Sequence, residues 1–518
     1  MNRITKISHL FLLTVCLFIA GQQALLARQS GQLQINYTVA VADVDKQLFH
    51  VTTEIKNIKD SFVTVSLPIW TPGWYTVENY AKNILRFKIL DGKGNWLQPI
   101  MTRKQSWRVE TKNLKEIKIE FDYQATVLAL NQAKITKDFA FFTGTQLFLE
   151  VNGYRNLPAT VRFNVPQDWK IQTALKESTD PYIFTSSNYD ELVDAPTQMG
   201  KFDVTKFEVE GKPHYFCATP AGSFSKEKTD KFVEMLQKVY MSQSKIFGGL
   251  PYEKHVCFYF FAKPESNAGG ALEHANSFVS FAPVGNRATP EMLIETAAHE
   301  FFHTWNVKRI RPIQMFPYDY SRENETPLLW ISEGFTNYYA SKSLLRAGTG
   351  GKERFLFSIT SAINGVESND ARKYISPADS STSTWLGYDT GTVFEISYYT
   401  QGQNLGALLD LSILNDTKGQ FGLDEVMRSL FKDFYLKGKG FSIDDFLTIV
   451  NRLTKRDYRN FITRYAYGVA VPPYDEILGF AGYYLDKDAL KEGRYEVKEM
   501  SDISTEKMKI REAWLKTQ

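Results

Sequence analysis

Apolar and polar residues alternate along the first part of the chain in the pattern typical of short β-strands. Segments 33–39 (LQINYTV) and 117–123 (IKIEFDY) each place an apolar residue at every second position, as a strand with one buried face requires. Turn-forming clusters such as 91–95 (DGKGN) separate these runs, and no long helical pattern interrupts them. The pattern therefore predicts a sandwich-like β domain over residues 28–205.

Helical spacing replaces this alternation near residue 223, where the chain begins to combine helices with strands. The first helix is predicted over 226–247, because its apolar residues follow a 3.6-residue period and two glycines end it. The later segments predicted from the same signals are the strands 255–262 and 277–281 and the helices 326–348, 393–414, 423–435 and 443–467.

This order of elements predicts an α+β chain with at least two domains. Beyond the β domain, the predicted boundaries are a mixed strand-and-helix region over 206–350, a helical region over 351–475 and a short C-terminal tail over 476–518.

Composition places the chain among folded proteins and argues against charge-driven partners. Of 518 residues, 43% are hydrophobic and 14% aromatic, which is enough for a large core. The formal net charge of +3 comes without blocks of like charge, so neither nucleic acid nor an electrostatic membrane partner is indicated. Cys217 and Cys257 lie in apolar runs without metal or redox spacing, which leaves a disulfide and two buried thiols as alternatives.

The N-terminus has the layout of a secretory signal peptide. Positive charge within residues 1–6 precedes an apolar stretch over 10–20, and Ala24 and Ala27 follow as candidate cleavage points. The apolar stretch is shorter than a membrane-spanning helix. Residues 1–27 are therefore predicted to be a signal peptide, with an uncleaved anchor as the alternative, and the protein is expected to be periplasmic or secreted.

The segment 299–303 (HEFFH) carries the clearest chemical signal in the chain. On a helix, His299 and His303 share one face and can both reach one Zn²⁺ ion. Glu300 lies beside them, where it can take a proton from water. Thr289 and Pro290 read as the N-cap and first residue of this helix. Because the chain has only seven histidines, chance is a weak explanation, and we predict one zinc ion per chain.

A catalytic zinc site usually takes three protein ligands, so one is still missing. Position 309 is Arg309, which excludes the spacing of metzincins, where a third histidine follows the motif. Glu323 and Glu325 lie on a polar connection and would make poorly fixed ligands. Glu333 is embedded among apolar residues on the next predicted helix, where a carboxylate needs a partner. We predict Glu333 as the third ligand, with an ordinary salt bridge as the alternative.

These residues belong to longer segments that resemble the glycyl aminopeptidase family, which comprises gluzincin metallopeptidases distantly related to aminopeptidase N. The two segments around the site are 299–312 (HEFFHTWNVKRIRP) and 330–339 (WISEGFTNYY). Further similar segments are 70–75 (WTPGWY), 194–200 (DAPTQMG), 397–402 (SYYTQG) and 407–411 (ALLDL). The resemblance covers roughly residues 30–480 and implies a thermolysin-like catalytic domain.

The resemblance also implies residues that act on the substrate. Segment 270–274 resembles an element at the cleft edge in which Gly270 and Ala271 approach the substrate and Glu273 binds its N-terminal ammonium. A surface salt bridge is the alternative for Glu273, and His274 is expected to form hydrogen bonds rather than bind metal. The strand over 277–281 is expected to pair with the substrate main chain.

Tyr399 occupies the family's position for a phenol that stabilises the oxyanion, with Tyr398 as its neighbouring competitor. Gln401 replaces a lysine that is common in relatives. The implied function is a zinc aminopeptidase that removes small N-terminal residues, Gly or Ala, from peptides. A zinc endopeptidase with the same metal site and an inactive secreted peptide-binding protein are the alternatives. Only about 40 residues follow the catalytic helices, too few for the PDZ domain that family members usually carry.

Overall fold

The computed structural model describes residues 31–266, 269–386, 395–486 and 494–516. The predicted signal peptide, residues 1–27, lies outside the described residues. Within them, the chain forms an N-terminal β domain, a second and smaller sheet with helices packed on it, and a C-terminal set of helices. The predicted α+β class is confirmed.

The N-terminal domain contains one eight-stranded and two four-stranded sheets. Its strands are β1 (Gln34–Asp43), β2 (Leu48–Lys56), β3 (Phe62–Ser66), β4 (Ile84–Asp91), β5 (Trp96–Leu97), β6 (Ile100–Arg103), β7 (Ser106–Glu110), β8 (Glu116–Gln124), β9 (Lys134–Ile135), β10 (Phe139–Phe142), β11 (Glu150–Val151), β12 (Ala159–Asn164), β13 (Lys170–Thr173), β14 (Lys176–Glu177), β15 (Ile183–Ser186) and β16 (Thr197–Gly200). The sheet orders are β14-β15-β12-β1-β2-β8-β4-β5, β13-β16-β10-β9 and β11-β3-β7-β6.

Strand β1 shows why the alternating pattern produces this domain. Ile35, Tyr37 and Val39 are buried in the core, while the residues between them are partly exposed. Antiparallel pairing with β2 places Ile35 opposite Ile55 and Val39 opposite Val51. Each pair buries two apolar side chains on the same face, which stabilises the register because a one-residue slip would expose all of them.

The second sheet has five strands and supports the functional region. They are β17 (Asp203–Val209), β18 (Lys212–Thr219), β19 (His255–Phe260), β20 (Ala271–His274) and β21 (Ser277–Phe281). Their order is β17-β18-β19-β21-β20, so β20 forms an edge of the sheet. All six residues of β19 are buried, as expected for a strand covered on both faces.

The prediction that the strand over 277–281 pairs with a substrate is wrong. Strand β21 lies between β19, to which it is parallel, and β20, to which it is antiparallel. Both of its hydrogen-bonding edges are therefore used within the sheet, and no position is left for an added strand. The edge strand that could accept one is β20.

The helices are α1 (Tyr189–Val193), α2 (Lys226–Phe247), α3 (Pro290–Phe302), α4 (Phe335–Arg346), α5 (Lys352–Glu367), α6 (Pro377–Ser383), α7 (Tyr398–Asp416), α8 (Leu423–Asp433), α9 (Ile443–Thr454), α10 (Arg459–Tyr465), α11 (Tyr474–Gly479) and α12 (Thr505–Leu515). A π-helical turn, Trp330–Gly334, leads directly into α4.

Several predicted helix boundaries can now be compared with the structure. The bounds of α2 are confirmed, as is the start of α3, where the Thr289 side chain accepts a hydrogen bond from the backbone of Met292 and Pro290 is the first residue. The single helix predicted over 443–467 is wrong. It is two helices, because Lys455 adopts a left-handed conformation with φ 61° and ends α9, which a continuous helix does not allow.

The segment after residue 475, predicted as a short tail, packs onto helices α4 and α7. It includes the hairpin strands β22 (Tyr483–Leu485) and β23 (Val497–Glu499), and α12, which contacts α4 and α7. Trp514 is fully buried, and its indole N–H donates to the hydroxyl of Tyr338 at 2.9 Å. This segment is therefore part of the C-terminal half of the molecule.

Cys217 and Cys257 are buried free thiols. They lie on the adjacent parallel strands β18 and β19, where Cys217 is opposite Phe258 and Cys257 is opposite Phe216. The two thiols belong to separate apolar clusters, since neighbouring residues of a strand face opposite sides of the sheet. Of the two alternatives for these residues, the structure has the buried thiols. Across the described segments, no helix is both long and apolar enough to cross a membrane.

Candidate active site

Two histidines and one glutamate bring their side-chain atoms together at the end of α3. His299 Nε2 and His303 Nε2 lie 2.9 Å apart, because residues four apart share one face of a helix. Glu333, in the π-helical turn before α4, places Oε2 3.1 Å from His303 Nε2 and 3.6 Å from His299 Nε2. Glu323 and Glu325, the alternative acids, are exposed on the preceding loop.

The spacing of these three atoms can be tested against zinc. Ligands about 2.0–2.1 Å from a tetrahedral ion lie about 3.3–3.4 Å from one another, which falls within the observed spread. The surroundings also favour a cation. Burial opposes a charge on His303, but the carboxylates of Glu333 and Glu273 more than offset it and raise the pKa of His303 to about 9. The residues present therefore fit a zinc ion with two histidine ligands and one carboxylate ligand.

A second set of hydrogen bonds holds the ligands in place. His303 Nδ1 donates to the carbonyl oxygen of Asn306 at 2.6 Å, which leaves Nε2 to face Glu333. The Asn306 side-chain amide donates to the carbonyl oxygens of Ile331 and Ser332 at 2.9 and 3.0 Å. The chain following α3 is thereby fixed to the turn that carries Glu333.

Close helix packing places Tyr399 beside this group. A methyl group on Gly402 of α7 would lie 2.1 Å from the carbonyl oxygen of Trp330, so α7 can lie against the π-helical turn only because glycine is present there. At the start of α7, the ring of Tyr399 stacks on that of His299 at 6.1 Å between centroids. Tyr398, its neighbour, shares a hydrogen bond with the hydroxyl of Thr384 at 3.3 Å.

Glu300 lies in a buried position beside the same histidines. Only 5% of the residue is exposed, and its Oε2 atom is buried without a hydrogen-bond partner. Burial raises the pKa of Glu300 well above its usual range, with His303 opposing the shift and Glu273 adding to it. A carboxyl group with a raised pKa is a better proton acceptor at neutral pH than an exposed one.

The edge strand β20 carries Glu273 into the same region. One carboxylate oxygen of Glu273 lies within 4.8 Å of a carboxylate oxygen of Glu300 and of a ring nitrogen of His303. Glu273 is only 4% exposed, so the alternative of a surface salt bridge is wrong. Gly270 precedes the strand with φ 93°, and Ala271 pairs with Ser280 at its start.

A buried lysine faces Glu273 from the opposite side. Lys308 Nζ lies 3.7 Å from Glu273 Oε1 and 3.1 Å from Asp194 Oδ1, and none of its side chain is exposed. Burial raises the pKa of Glu273 and Lys308 opposes this shift. His274 Nδ1 donates to Asp194 at 3.1 Å, so this histidine forms a hydrogen bond rather than joining the three-atom group.

Three residues that lie at the site are not among the candidates predicted from the sequence. Tyr75, from the N-terminal domain, has its hydroxyl 3.4 Å from Glu333 Oε1. Lys308 and Asp194 form the buried ion pair behind Glu273. All three lie in segments that resemble the family. The sequence signal that could have identified a charged residue among them is an apolar context around it. Lys308 has that context, since it follows an aromatic-rich stretch by a few residues.

The fold and this group of residues define a metallopeptidase of the gluzincin class, in which two histidines from one helix and a glutamate from the next provide the metal ligands. The family model described as the Peptidase M61 N-terminal domain matches residues 36–201. The model described as M61 glycyl aminopeptidase matches residues 292–405. The chain belongs to the M61 glycyl aminopeptidase family.

Solved structures share its fold. An aminopeptidase N family protein from Idiomarina loihiensis is 24% identical with a TM-score of 0.81, and the match covers 88% of this chain and 79% of that one. An M1 zinc metallopeptidase from Deinococcus radiodurans is 16% identical, with a TM-score of 0.51 and coverage of 86% and 96%. Yeast LTA4 hydrolase in complex with bestatin is 15% identical, with a TM-score of 0.53 and coverage of 87% and 71%. A search of curated proteins gives no significant match.

Proposed function

We propose that this protein is a zinc aminopeptidase that releases small N-terminal residues, Gly or Ala, from peptides. The observation that carries the proposal is the position of Glu273. Its buried carboxylate projects from an edge strand and lies within 4.8 Å of donor atoms of Glu300 and His303. A free N-terminal ammonium bound there would leave the first peptide bond of the substrate next to the predicted metal ligands.

His299, His303 and Glu333 would hold the zinc ion. When bound, zinc polarises a carbonyl oxygen and lowers the pKa of water towards ~7. The side chains around it do the remaining work. Glu300 accepts the proton of the attacking water at its carboxylate and passes it to the nitrogen of the leaving amine. The phenol hydroxyl of Tyr399 donates a hydrogen bond to the oxyanion that forms at the scissile carbonyl.

The edge strand β20 would bind the backbone of the substrate. Because β21 has both edges occupied, the extended peptide would add beside β20, the edge strand of this sheet that carries Glu273. That placement runs the peptide past Glu273, whose carboxylate then meets the amino terminus. An M1 zinc metallopeptidase mutant from Deinococcus radiodurans, with a TM-score of 0.54, has been solved bound to a Tyr-Ser-Ala substrate, which supports a short peptide as the ligand.

Aromatic packing near the site supports the preference for small residues. The rings of Tyr75 and Trp385 meet edge to face at 5.8 Å between centroids, and Trp70 meets Trp385 at 5.1 Å. Tyr75 also contacts Glu333. Tyr75, held by this packing, fills space beside the predicted ligand Glu333, which supports a preference for a small first side chain. The layout of residues 1–27 supports export to the periplasm or secretion as part of the same proposal.

The deciding experiment uses purified protein with measured zinc content and two sets of substrates. One is a panel of aminoacyl amides with different first residues, and the other is a pair of peptides identical except for N-acetylation. We expect cleavage of Gly and Ala amides, and cleavage of the free peptide far faster than that of its acetylated form. Equal cleavage of the free and acetylated peptides would identify an endopeptidase, and no cleavage of either with zinc bound would identify a peptide-binding protein.

A further inference from the structure

The carboxylate of Glu273 lies where the N-terminal domain meets the catalytic half of the molecule. Gly73, in the loop between β3 and β4 of the N-terminal domain, faces this carboxylate directly. A methyl group on Gly73 would lie 2.5 Å from each of the two carboxylate oxygens. Gly73 also has φ 101°, a conformation that side chains other than glycine rarely adopt. The N-terminal domain thus forms one wall of the pocket that holds Glu273.

Lys308 connects the same loop to the carboxylate. Its ammonium donates to the carbonyl oxygen of Pro72 at 2.9 Å and lies 3.7 Å from Glu273 Oε1. Its third partner is Asp194, at 3.1 Å. Lys308 follows α3 closely, and its backbone N–H donates to the carbonyl oxygen of His303 at 3.0 Å. The ammonium of Lys308 therefore contacts the N-terminal domain and Glu273, while its backbone is fixed to the end of α3.

Asp194 fixes the strand that carries Glu273. Its Oδ2 atom accepts a hydrogen bond from the backbone N–H of Ala275 at 2.7 Å, and its Oδ1 atom accepts one from His274 Nδ1 at 3.1 Å. The ammonium of Lys308 and the backbone N–H of Ala275 therefore both contact the Asp194 carboxylate. The pKa of Asp194 lies below its usual range, because the nearby Lys308 and His274 outweigh the effect of burial. The end of β20 is therefore tied to Lys308 by a charged, fully buried group.

We propose that Gly73 and Lys308 are positioning residues that set where Glu273 holds the substrate ammonium. The N-terminal domain thereby fixes the distance between the bound ammonium and the catalytic residues, so that cleavage occurs after the first residue of the substrate. This inference rests on the proposed aminopeptidase function. The physical reason is the short distance involved. One residue spans at most ~3.3–3.6 Å, so a shift of Glu273 by about 1 Å misplaces the scissile bond and can lower the rate by about 10²-fold.

The decisive variant is Gly73→Ala, with Gly153→Ala as its matched control. Gly153 lies in the same domain with φ 86° and has open space where a methyl group would go. Both variants introduce the same backbone strain, but only Gly73→Ala places a methyl group against Glu273. The measurement is kcat/KM for an Ala-initiated peptide, divided by kcat/KM for its N-acetylated form, together with Tm and zinc content.

We expect Gly73→Ala to lower this ratio by about 10–100-fold, with zinc content unchanged and Tm close to that of Gly153→Ala. The control should keep the wild-type ratio. An unchanged ratio in Gly73→Ala, or an equal fall in both variants, would overturn the proposal. Where the acetylated peptide is not cleaved, the inhibition constants of alanine amide and N-acetylalanine amide replace the ratio.

A second pair of variants tests Lys308 by the same ratio. Lys308→Met removes the cation beside Glu273, whereas Lys342→Met removes another fully buried lysine, which pairs with Asp410 among the helices. Both remove the lysine partner of a buried carboxylate that keeps its other hydrogen bonds, so we expect a comparable loss of Tm. We expect only Lys308→Met to lower the ratio, through a raised KM for the free peptide. An unchanged ratio in a folded Lys308→Met protein would overturn the role of Lys308. If this protein does not fold, the Gly73 pair decides.

Glu273→Gln separates this inference from the function on which it rests. If this variant keeps the wild-type ratio, Glu273 does not bind the ammonium, and the aminopeptidase proposal itself fails. If Glu273→Gln lowers the ratio while Gly73→Ala does not, the function stands and the positioning role fails. A lowered ratio in both supports the two proposals together.

Discussion

The predicted metal-ligand group and the pocket around Glu273 are built in different ways, although they lie side by side. In the first, His299 and His303 come from one helix and Glu333 from the turn that follows along the chain. In the second, Glu273 is held by Gly73 from the N-terminal domain and by Lys308 from the segment after the metal helix. One group depends mainly on local helix geometry, and the other depends on the docking of distant segments.

This difference separates two properties of the enzyme. A local group keeps its geometry as long as α3 and the following turn are folded, because the i, i+4 spacing already brings two ligands together. A pocket built from three segments changes whenever the domains shift by a fraction of an ångström. We therefore expect the reaction itself to depend on the first group, and the choice of an amino terminus to depend on the second.

The largest expected effect is on the metal-ligand group. Glu333→Ala should lose most of the bound zinc and nearly all turnover, because two histidines alone fall below the usual number of protein ligands. Zinc per chain is measured by elemental analysis after gel filtration. Glu323→Ala and Glu325→Ala are the controls, since both acids are exposed on the preceding loop. Full zinc content in Glu333→Ala would contradict the assignment of this ligand.

The next effect separates chemistry from metal binding within the same group. Glu300→Gln should keep its zinc and its Tm, because the amide fills the same volume and Glu300 is not among the three predicted ligands. Its kcat should fall by about 10²–10⁴-fold, the usual cost of removing a general base. Stopped assays with Ala amide and elemental analysis give both numbers. A variant with wild-type kcat would remove Glu300 from the reaction.

Changing the Glu273 pocket should affect the choice of substrate rather than the chemistry. Glu273→Ala should reduce kcat/KM for a free amino terminus by roughly 10–150-fold, which corresponds to a charge-assisted hydrogen bond of about 1.5–3 kcal/mol. The N-acetylated peptide should be much less affected. Comparing two enzymes on two substrates cancels general damage to the fold. An equal loss on both peptides would mean that the role of Glu273 is structural.

The smallest effect tests how far the metal-ligand group is local. Asn306→Ala removes the hydrogen bonds to Ile331 and Ser332 that tie the end of α3 to the turn carrying Glu333. Zinc affinity should fall by about 10–100-fold, as is usual for residues that support metal ligands. Chelator competition measures it, with kcat at saturating zinc as the reference. Unchanged affinity would mean that Glu333 is placed by its own turn alone.

The two groups also differ in how far they could be predicted from the sequence. Local spacing and capping pointed to His299, His303 and the start of their helix at Pro290. Glu333 followed from its apolar surroundings. Glu273, by contrast, depended on a family resemblance, and Tyr75 and Lys308 were not identified as functional candidates. Their contacts join residues far apart in the chain, and no periodicity within a short segment reports such contacts.

The amino-acid sequence by itself determined the elements whose signals are local: the alternating strands of the N-terminal domain, the helix Lys226–Phe247 and the start of the helix Pro290–Phe302. Tertiary structure alone decided that β20, rather than β21, lies at an edge of the five-stranded sheet. It also decided that Gly73 faces Glu273. The reason is physical: helix periodicity and capping act between near neighbours, whereas sheet order and domain contacts are selected by packing across the whole fold.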